Sequence, residues 1–318
     1  MLFNKKELKR LDRQISSLTN LPRLKIAEKQ FTLSNKVKFN GVGLHSGKKI
    51  NMTLHPSDEN TGIIFRLRNK NGLTSNIKAT YSNVSDTFLC TTLKNEDGQC
   101  VSTTEHLLSS LYSLNIDNLI IEIDNNEIPI LDGSSRLFFE AISKVGFSEQ
   151  NSFKKFIKIK KPLEVSDDSA YARVIPNTET IISCEINFPT KVIGKQSISF
   201  PLTTSIFKNE ISSARTFGFL NDINYLREKG LTLGGSLDNA IVISEDKVLN
   251  KGGLRFNDEF VRHKALDFIG DLALSGHKMI GSFLSVNGGH TINYKLVKKI
   301  FSCRDNWDFV DSNQDPIF

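Results

Sequence analysis

A histidine and two aspartates recur one helical turn apart at His263, Asp267 and Asp271. At roughly 100° per residue these side chains form one narrow stripe, and Val261, Ala265, Phe268 and Leu272 take the opposite side, where they can face a core. An imidazole and a carboxylate one turn apart can reach a single ion, as they do in helical zinc sites. A solvated polar face would give a similar stripe, although exposed faces usually carry the longer Lys and Glu. Thr104-Glu105-His106 is a second pairing. Adjacent helical residues point about 100° apart, so His106 can ligate while Glu105 reaches water on the ion from the side. A cap at Ser102 or Thr103, with Glu105 at the positive helix end, also accounts for the glutamate but not for His106. Gly288-Gly289-His290 follows a short apolar strand. Glycines there let the backbone turn sharply and leave an accessible imidazole. Such an imidazole is suited to donate a proton to a leaving group, and it is equally a common surface residue.

Other patterns carry less. The run Gly41-Val42-Gly43-Leu44-His45-Ser46-Gly47-Lys48 looks like a phosphate loop but lacks the Walker spacing and its following Ser or Thr. Neither Gly-x-Ser-x-Gly nor His-Glu-x-x-His occurs. His45, His55 and His277 have no comparable partners nearby in sequence, and His55 and His277 read as structural or surface residues.

These residues need elements to position them. The pattern predicts strands around residues 51–54 and 63–67, a helix over 103–114, a strand over 119–123 and a helix over 134–145. A second round follows, with strands at 156–159, 171–175 and 181–188, a helix over 259–274, a strand over 282–286 and a helix over 292–301. Strands followed by helix–strand–helix, twice, predict two related α+β domains, at residues 31–152 and 153–318. Both histidines fall on the corresponding first helix of their domain, so packing the domains face to face would bring them to a shared cleft.

The 318 residues have an ordinary globular balance, with 24% charged and 39% hydrophobic. No run approaches a membrane span and no secretory signal is apparent, so a soluble, cytoplasmic protein is expected. Four scattered cysteines read as reduced thiols. The net charge is +6, of which residues 1–30 supply +5 from eight basic and three acidic side chains. The body is thus nearly neutral, which argues against a nucleic-acid-binding body. Residues 1–30 read as a basic extension. Leu8, Leu11, Ile15 and Leu18 at helical spacing suit peripheral contact with an anionic membrane or a partner, and a poorly ordered tail or an organelle-targeting segment fits as well.

Nine strings in one order carry a resemblance. They begin with GVGLHSGKK (41–49), LCTTL (89–93), TTEHLLSSL (103–111), IDNLIIEI (116–123) and EIPILDGS (127–134). SSARTFGF (212–219), LGGSLDNAIV (233–242), FVRHKALDFIGD (260–271) and GGHTIN (288–293) follow. From about Phe31 onward the chain resembles the UDP-3-O-acyl-N-acetylglucosamine deacetylases of the lipid A pathway. The resemblance implies a catalytic zinc held by His106, His263 and Asp267, with the site between two α+β domains. Glu105 would be the general base, His290 the general acid and Thr216 an oxyanion donor. Asp271 would support charged His290, and Lys264 would stabilise negative charge.

The implied substrate is a UDP-linked acylated amino sugar. An insert near residues 218–235 would form an apolar passage for its acyl chain, lined by Leu220, Ile223, Leu237 and Val242, each of which ordinary core packing would also explain. Cys90, Phe188 and Phe217 would touch substrate, Phe188 near the uracil. Two lysines common in the family are replaced by Asn287 and Ala170, which leaves the nucleotide-phosphate contacts unassigned. A monomer is expected. A related metal amidohydrolase with another sugar or acyl chain is the alternative enzyme. A non-catalytic lipid- or nucleotide-sugar-binding protein is a third reading, disfavoured because binding alone needs neither Glu105 nor His290.

Overall fold

Apolar and polar residues alternate along Lys49–Pro56, placing Ile50, Met52 and Leu54 on one buried face. In the computed structural model, which describes residues 28–68 and 74–311, this strand is second of five in the first sheet. The basic extension lies outside the described residues except for its last three. The sheet runs Val37–Val42, Lys49–Pro56, Leu119–Ile123, Ile63–Arg68, Thr74–Lys78. Its central strand is the last in sequence, antiparallel to Lys49–Pro56 and parallel to Ile63–Arg68.

The second sheet repeats that plan with Leu163–Ser166, Tyr171–Ile175, Lys278–Val286, Thr180–Asn187 and Lys195–Pro201. Lys278–Val286 is again last in sequence and central, antiparallel to one neighbour and parallel to the other. Lys155–Ile159 and Trp307–Asp311 add beside its start. The chain is an α+β protein of two related domains, each a sheet packed on helices.

Five helices of two turns or more are described: α1 (Glu105–Ser113), α2 (Arg136–Val145), α3 (Leu220–Glu228), α4 (Glu259–Leu272) and α5 (His290–Ser302). Helix α2 seats Phe138 edge-on against Phe39 of the first sheet, ring centroids 5.0 Å apart. Helices α4 and α5 cover the second sheet, and α1 crosses α4 between the two. Every residue of α4 is buried except the half-buried Arg262 and Lys264. Its polar stripe therefore faces the domain interface and not solvent. A helix buried all round can keep charged groups only where partners meet them.

The α1–α4 crossing is close because Gly270 has no side chain. A methyl there would lie 2.8 Å from Cα of Glu105 and closer still to its carbonyl oxygen. At the other end of α1, the Lys278 ammonium donates to the Tyr112 carbonyl and Lys154 Nζ to that of Asn115 at 2.9 Å. Cations there suit the negative end of the helix.

Several element ends differ from the sequence expectation. Helix α1 starts at Glu105 because Thr103 sits at φ +57°, outside the helical region. Neither Ser102 nor Thr103 caps it; the cap position is Thr104, with no side-chain cap bond. His290 opens α5 and is buried, not exposed in a turn. Phe147–Phe153 pairs back onto Lys29–Leu33, so we propose the division between domains just after it. No helix among the described residues is long and apolar enough to cross a membrane.

Candidate active site

The i, i+4 spacing on α4 places His263 Nε2 3.3 Å from Asp267 Oδ1, and α1 brings His106 Nε2 to 3.6 Å from the same oxygen. The imidazoles stand edge to face, centroids 5.0 Å apart, and one ligand atom from each of the three residues lies within 4.8 Å of the others. All three are buried. The His263 Nδ1–H donates to the Ala214 carbonyl at 3.1 Å, which leaves the Nε2 lone pair facing inward. Asp267 Oδ1 is buried with no hydrogen-bond partner among the described residues, although carboxylate oxygens are rarely buried bare. Two imidazoles and one carboxylate around an orphaned oxygen fit a divalent ion such as zinc.

Protonation agrees with that fit. Burial pushes the His263 imidazole down to about 4 against the pull of Asp267, keeping it neutral as a ligand must be. Burial alone would raise Asp267, but His263, Lys264 and His106 hold its carboxyl well below the ordinary range. Lys264 Nζ lies 3.4 Å from Asp267 Oδ2.

Two arms flank the cluster. Glu105, from α1, accepts the Thr91 backbone N–H at 3.0 Å and turns its other oxygen toward His290 Nε2, 3.8 Å away. Burial raises its carboxyl, opposed by His290 and His106. The His290 Nδ1–H donates to Asp271 Oδ2 at 3.0 Å, and Asn293 Nδ2 donates to the same oxygen at 2.9 Å. Burial would lower His290, and the positive end of α5 disfavours an imidazolium too. The Asp271 and Glu105 carboxylates outweigh burial and hold it at about 10.

The segment carrying Ala214 and Thr216 is fixed by a buried ion pair. Arg215 Nε and Nη2 reach the two Glu259 carboxylate oxygens at 2.8 and 3.0 Å. This bidentate geometry anchors it to the first turn of α4. Thr216 donates its N–H to the Gly133 carbonyl at 2.8 Å. With Phe217 and Lys264 it joins the metal cluster, Glu105 and His290 in lining a cavity of about 540 Å³.

A second cavity of about 450 Å³ opens beside the first, sharing Leu44, His45, Leu89, Thr216 and Phe217. Leu220, Ile223, Leu237 and Val242 line it. The loop from Gly43 to Gly47 closes one wall, because Leu233 and Gly234 donate to the carbonyls of His45 and Leu44 at 3.1 and 3.0 Å.

Two expected contact residues lie elsewhere. Cys90 is buried outside both linings, its thiol pushed up to about 12 by burial and then by Glu105. Phe188 rests against Phe217 and Phe219, centroids 5.9 and 6.1 Å away, and borders neither cavity. Asn287 accepts the Asn187 N–H at 2.7 Å and donates to the Ser169 carbonyl at 3.4 Å. Its side chain therefore braces strand ends, and Ala170 is buried.

Sequence reasoning missed His45, both of whose ring nitrogens are buried without partners among the described residues, at the junction of the cavities. It also missed Thr91, Asn293, Arg215 and the Ala214 carbonyl. A signal for Arg215 and Asn293 stood in the strings 212–219 and 288–293, but nothing local distinguishes a threonine or a carbonyl that acts across a domain interface.

Fold and site together define a two-domain α+β protein with a buried His–His–Asp cluster able to hold a metal, flanked by a glutamate and a charged histidine. The sequence model of the family described as LpxC, UDP-3-O-acyl N-acetylglycosamine deacetylase, matches residues 30–302. A UDP-3-O-acyl-N-acetylglucosamine deacetylase of Idiomarina loihiensis is 45% identical over 289 residues, covering 90% of this chain and 94% of its own. Those of Histophilus somni and Haemophilus influenzae strain PittEE are 46% and 45% identical, covering 89% and 91% of this chain and 93% and 96% of theirs. The chain belongs to the UDP-3-O-acyl-N-acetylglucosamine deacetylase family.

Proposed function

We propose that this protein is a zinc-dependent hydrolase that removes the N-acetyl group of UDP-3-O-(3-hydroxyacyl)-N-acetylglucosamine in lipid A biosynthesis. Carrying this reading is the convergence, in one cavity, of a His–His–Asp cluster with a buried glutamate and a histidine held positive. Bound by His106, His263 and Asp267, zinc would supply Lewis-acid activation of water and of the acetyl carbonyl, bringing the pKa of the water to roughly 7.

The chain's own groups do the rest. Glu105 takes a proton from the attacking water as its oxygen bonds to the acetyl carbon. Thr216 and Lys264 offer a hydroxyl and an ammonium to the negative charge that gathers on the carbonyl oxygen. His290 then delivers its Nε2 proton to the sugar nitrogen as the C–N bond breaks, so an amine leaves and acetate remains. Asp271, itself held by Asn293, fixes the ring for that transfer. The adjoining apolar cavity takes the acyl chain along Leu220, Ile223, Leu237 and Val242.

Purified protein should release amine from the UDP-linked substrate, lose that turnover on chelation and regain it when zinc is returned. Full turnover by metal-free protein would overturn zinc dependence. Since Asn287 is occupied with backbone groups, the related reading, an amidohydrolase for another acylated amino sugar, is tested alongside with the UDP-free substrate.

The acid assignment has a pH signature. Imidazolium is present below the His290 pKa, so kcat should decline as pH rises through about 10. Asp271, Glu105 and Asp267 all raise that value, with Asp271 foremost. In Asp271→Asn the declining limb should move down toward roughly 6.5, the ordinary histidine value. A limb that stays near its wild-type position would remove His290 from the role of acid.

A further inference from the structure

Thr91 touches both arms of the site from a single buried residue. It precedes the short strand Thr92–Lys94 of the first domain and is 2% exposed. Its N–H donates to Glu105 Oε2 at 3.0 Å. Its hydroxyl donates across the domain interface to Asp271 Oδ1 at 2.6 Å. Its carbonyl accepts from the Thr104 hydroxyl at 3.2 Å and the Thr104 N–H at 3.4 Å, so the residue cannot move without disturbing the start of α1.

Each bond has a directional consequence. Glu105 can present only one oxygen to His290, because the other is held. Asp271 is gripped at both oxygens, by Thr91 on Oδ1 and by Asn293 and His290 on Oδ2. A carboxylate fixed at one oxygen alone can still swing about its χ2 torsion, which is broad. A short, buried hydroxyl–carboxylate bond removes that freedom. Four residues earlier in the same segment, the Thr87 and Thr291 hydroxyls meet at 2.9 Å, beside His290 at the start of α5. The segment from Thr87 to Thr91 thus spans from the base-bearing helix to the acid-bearing one.

We propose that Thr91 is a positioning residue that sets Glu105 of the first domain and the Asp271–His290 pair of the second in register for one reaction. The inference rests on the deacetylase reading above. A purely structural Thr91, present to satisfy buried polar groups, would affect stability without singling out the chemical step.

Thr91→Val removes the hydroxyl at nearly constant shape and keeps the N–H to Glu105. It should lower kcat roughly 10- to 100-fold, the range for groups that orient first-contact residues, with KM changed less than about twofold and zinc content unaltered. Thr91→Ser should restore most of the loss. In an Asp271→Ala background, Thr91→Val should cost little more, because the partner through which it acts is gone. If the valine variant does not fold, Thr91→Cys, whose thiol is a weak donor, should give an intermediate kcat. Wild-type kcat in the valine variant, or in the cysteine variant if only that one folds, overturns the proposal. So does a loss shared equally by serine, or one undiminished beside Asp271→Ala. If wild-type protein itself fails to release amine, the deacetylase reading falls and takes this inference with it; active wild type with an unaffected variant sinks the inference alone.

Discussion

Replacing His263 with alanine should yield folded protein that no longer retains zinc and whose kcat/KM is lower by roughly 10³-fold or more, the scale of losing a metal's several kcal/mol of transition-state stabilisation. Three ligand atoms converge within 4.8 Å, and the orientation of His263 among them is secured by the Ala214 carbonyl at 3.1 Å. Its removal leaves Asp267 and His106, on different helices, as an incomplete pair. Glu105→Gln should behave differently, keeping zinc while losing turnover by about 10²- to 10⁴-fold, because a base is lost and no ligand is. Metal analysis beside kinetics separates the two. Full zinc content and activity in His263→Ala would end the assignment of the metal site.

Gly270→Ala is expected to have an effect of comparable reach although it alters no group in the cavity. Alanine stabilises most helix interiors relative to glycine, by about 1 kcal/mol. Here the added methyl would strike the backbone of Glu105, at 2.8 Å from its Cα and carbonyl carbon, and backbone cannot rotate away as a side chain can. Helices α1 and α4 must separate, at a cost of about 1–3 kcal/mol or more. That movement pulls His106 from the oxygen it approaches at 3.6 Å and shifts Glu105 directly. A lower Tm, weaker zinc retention and reduced kcat should appear together. Gly252→Ala, at a glycine where an added Cβ would meet only open space, serves as the control and should change none of them. Gly270→Ala with the Tm and zinc content of that control would show that the crossing tolerates more room than its geometry indicates.

Local periodicity revealed what depends on a single helix. The pairing of His263 with Asp267 and the place of Asp271 followed from spacing alone, and α4 indeed holds all three on the interface. That His106 belongs with them depends on the tertiary crossing of α1 and α4. Sequence offered this only through the matching order of elements and the family resemblance. The central strands were legible because they are apolar, as in Leu119–Ile123. Phe147–Phe153 and Lys195–Pro201 were overlooked because edge strands with a wet face are rich in Ser, Gln, Glu and Lys, which read as loop. Helix α3 was hidden because none of its residues is buried, so amphipathic spacing says little. Gly288-Gly289 signals a turn that would leave the His290 imidazole accessible, whereas it is buried; the charge of Asp271, 19 residues earlier, is what makes that burial tolerable.

The placement of a late strand at the middle of each sheet has a consequence for synthesis. Until residue 286 has emerged from the ribosome, the hairpins Leu163–Ile175 and Thr180–Pro201 lack the strand that both pair with. Two strand edges stay unpaired while some 80 further residues are translated, at roughly 5–20 residues per second. The nascent chain therefore depends on delayed closure by a distant segment. A truncation that removes Lys278–Val286 would not shorten the second sheet but split it down its centre.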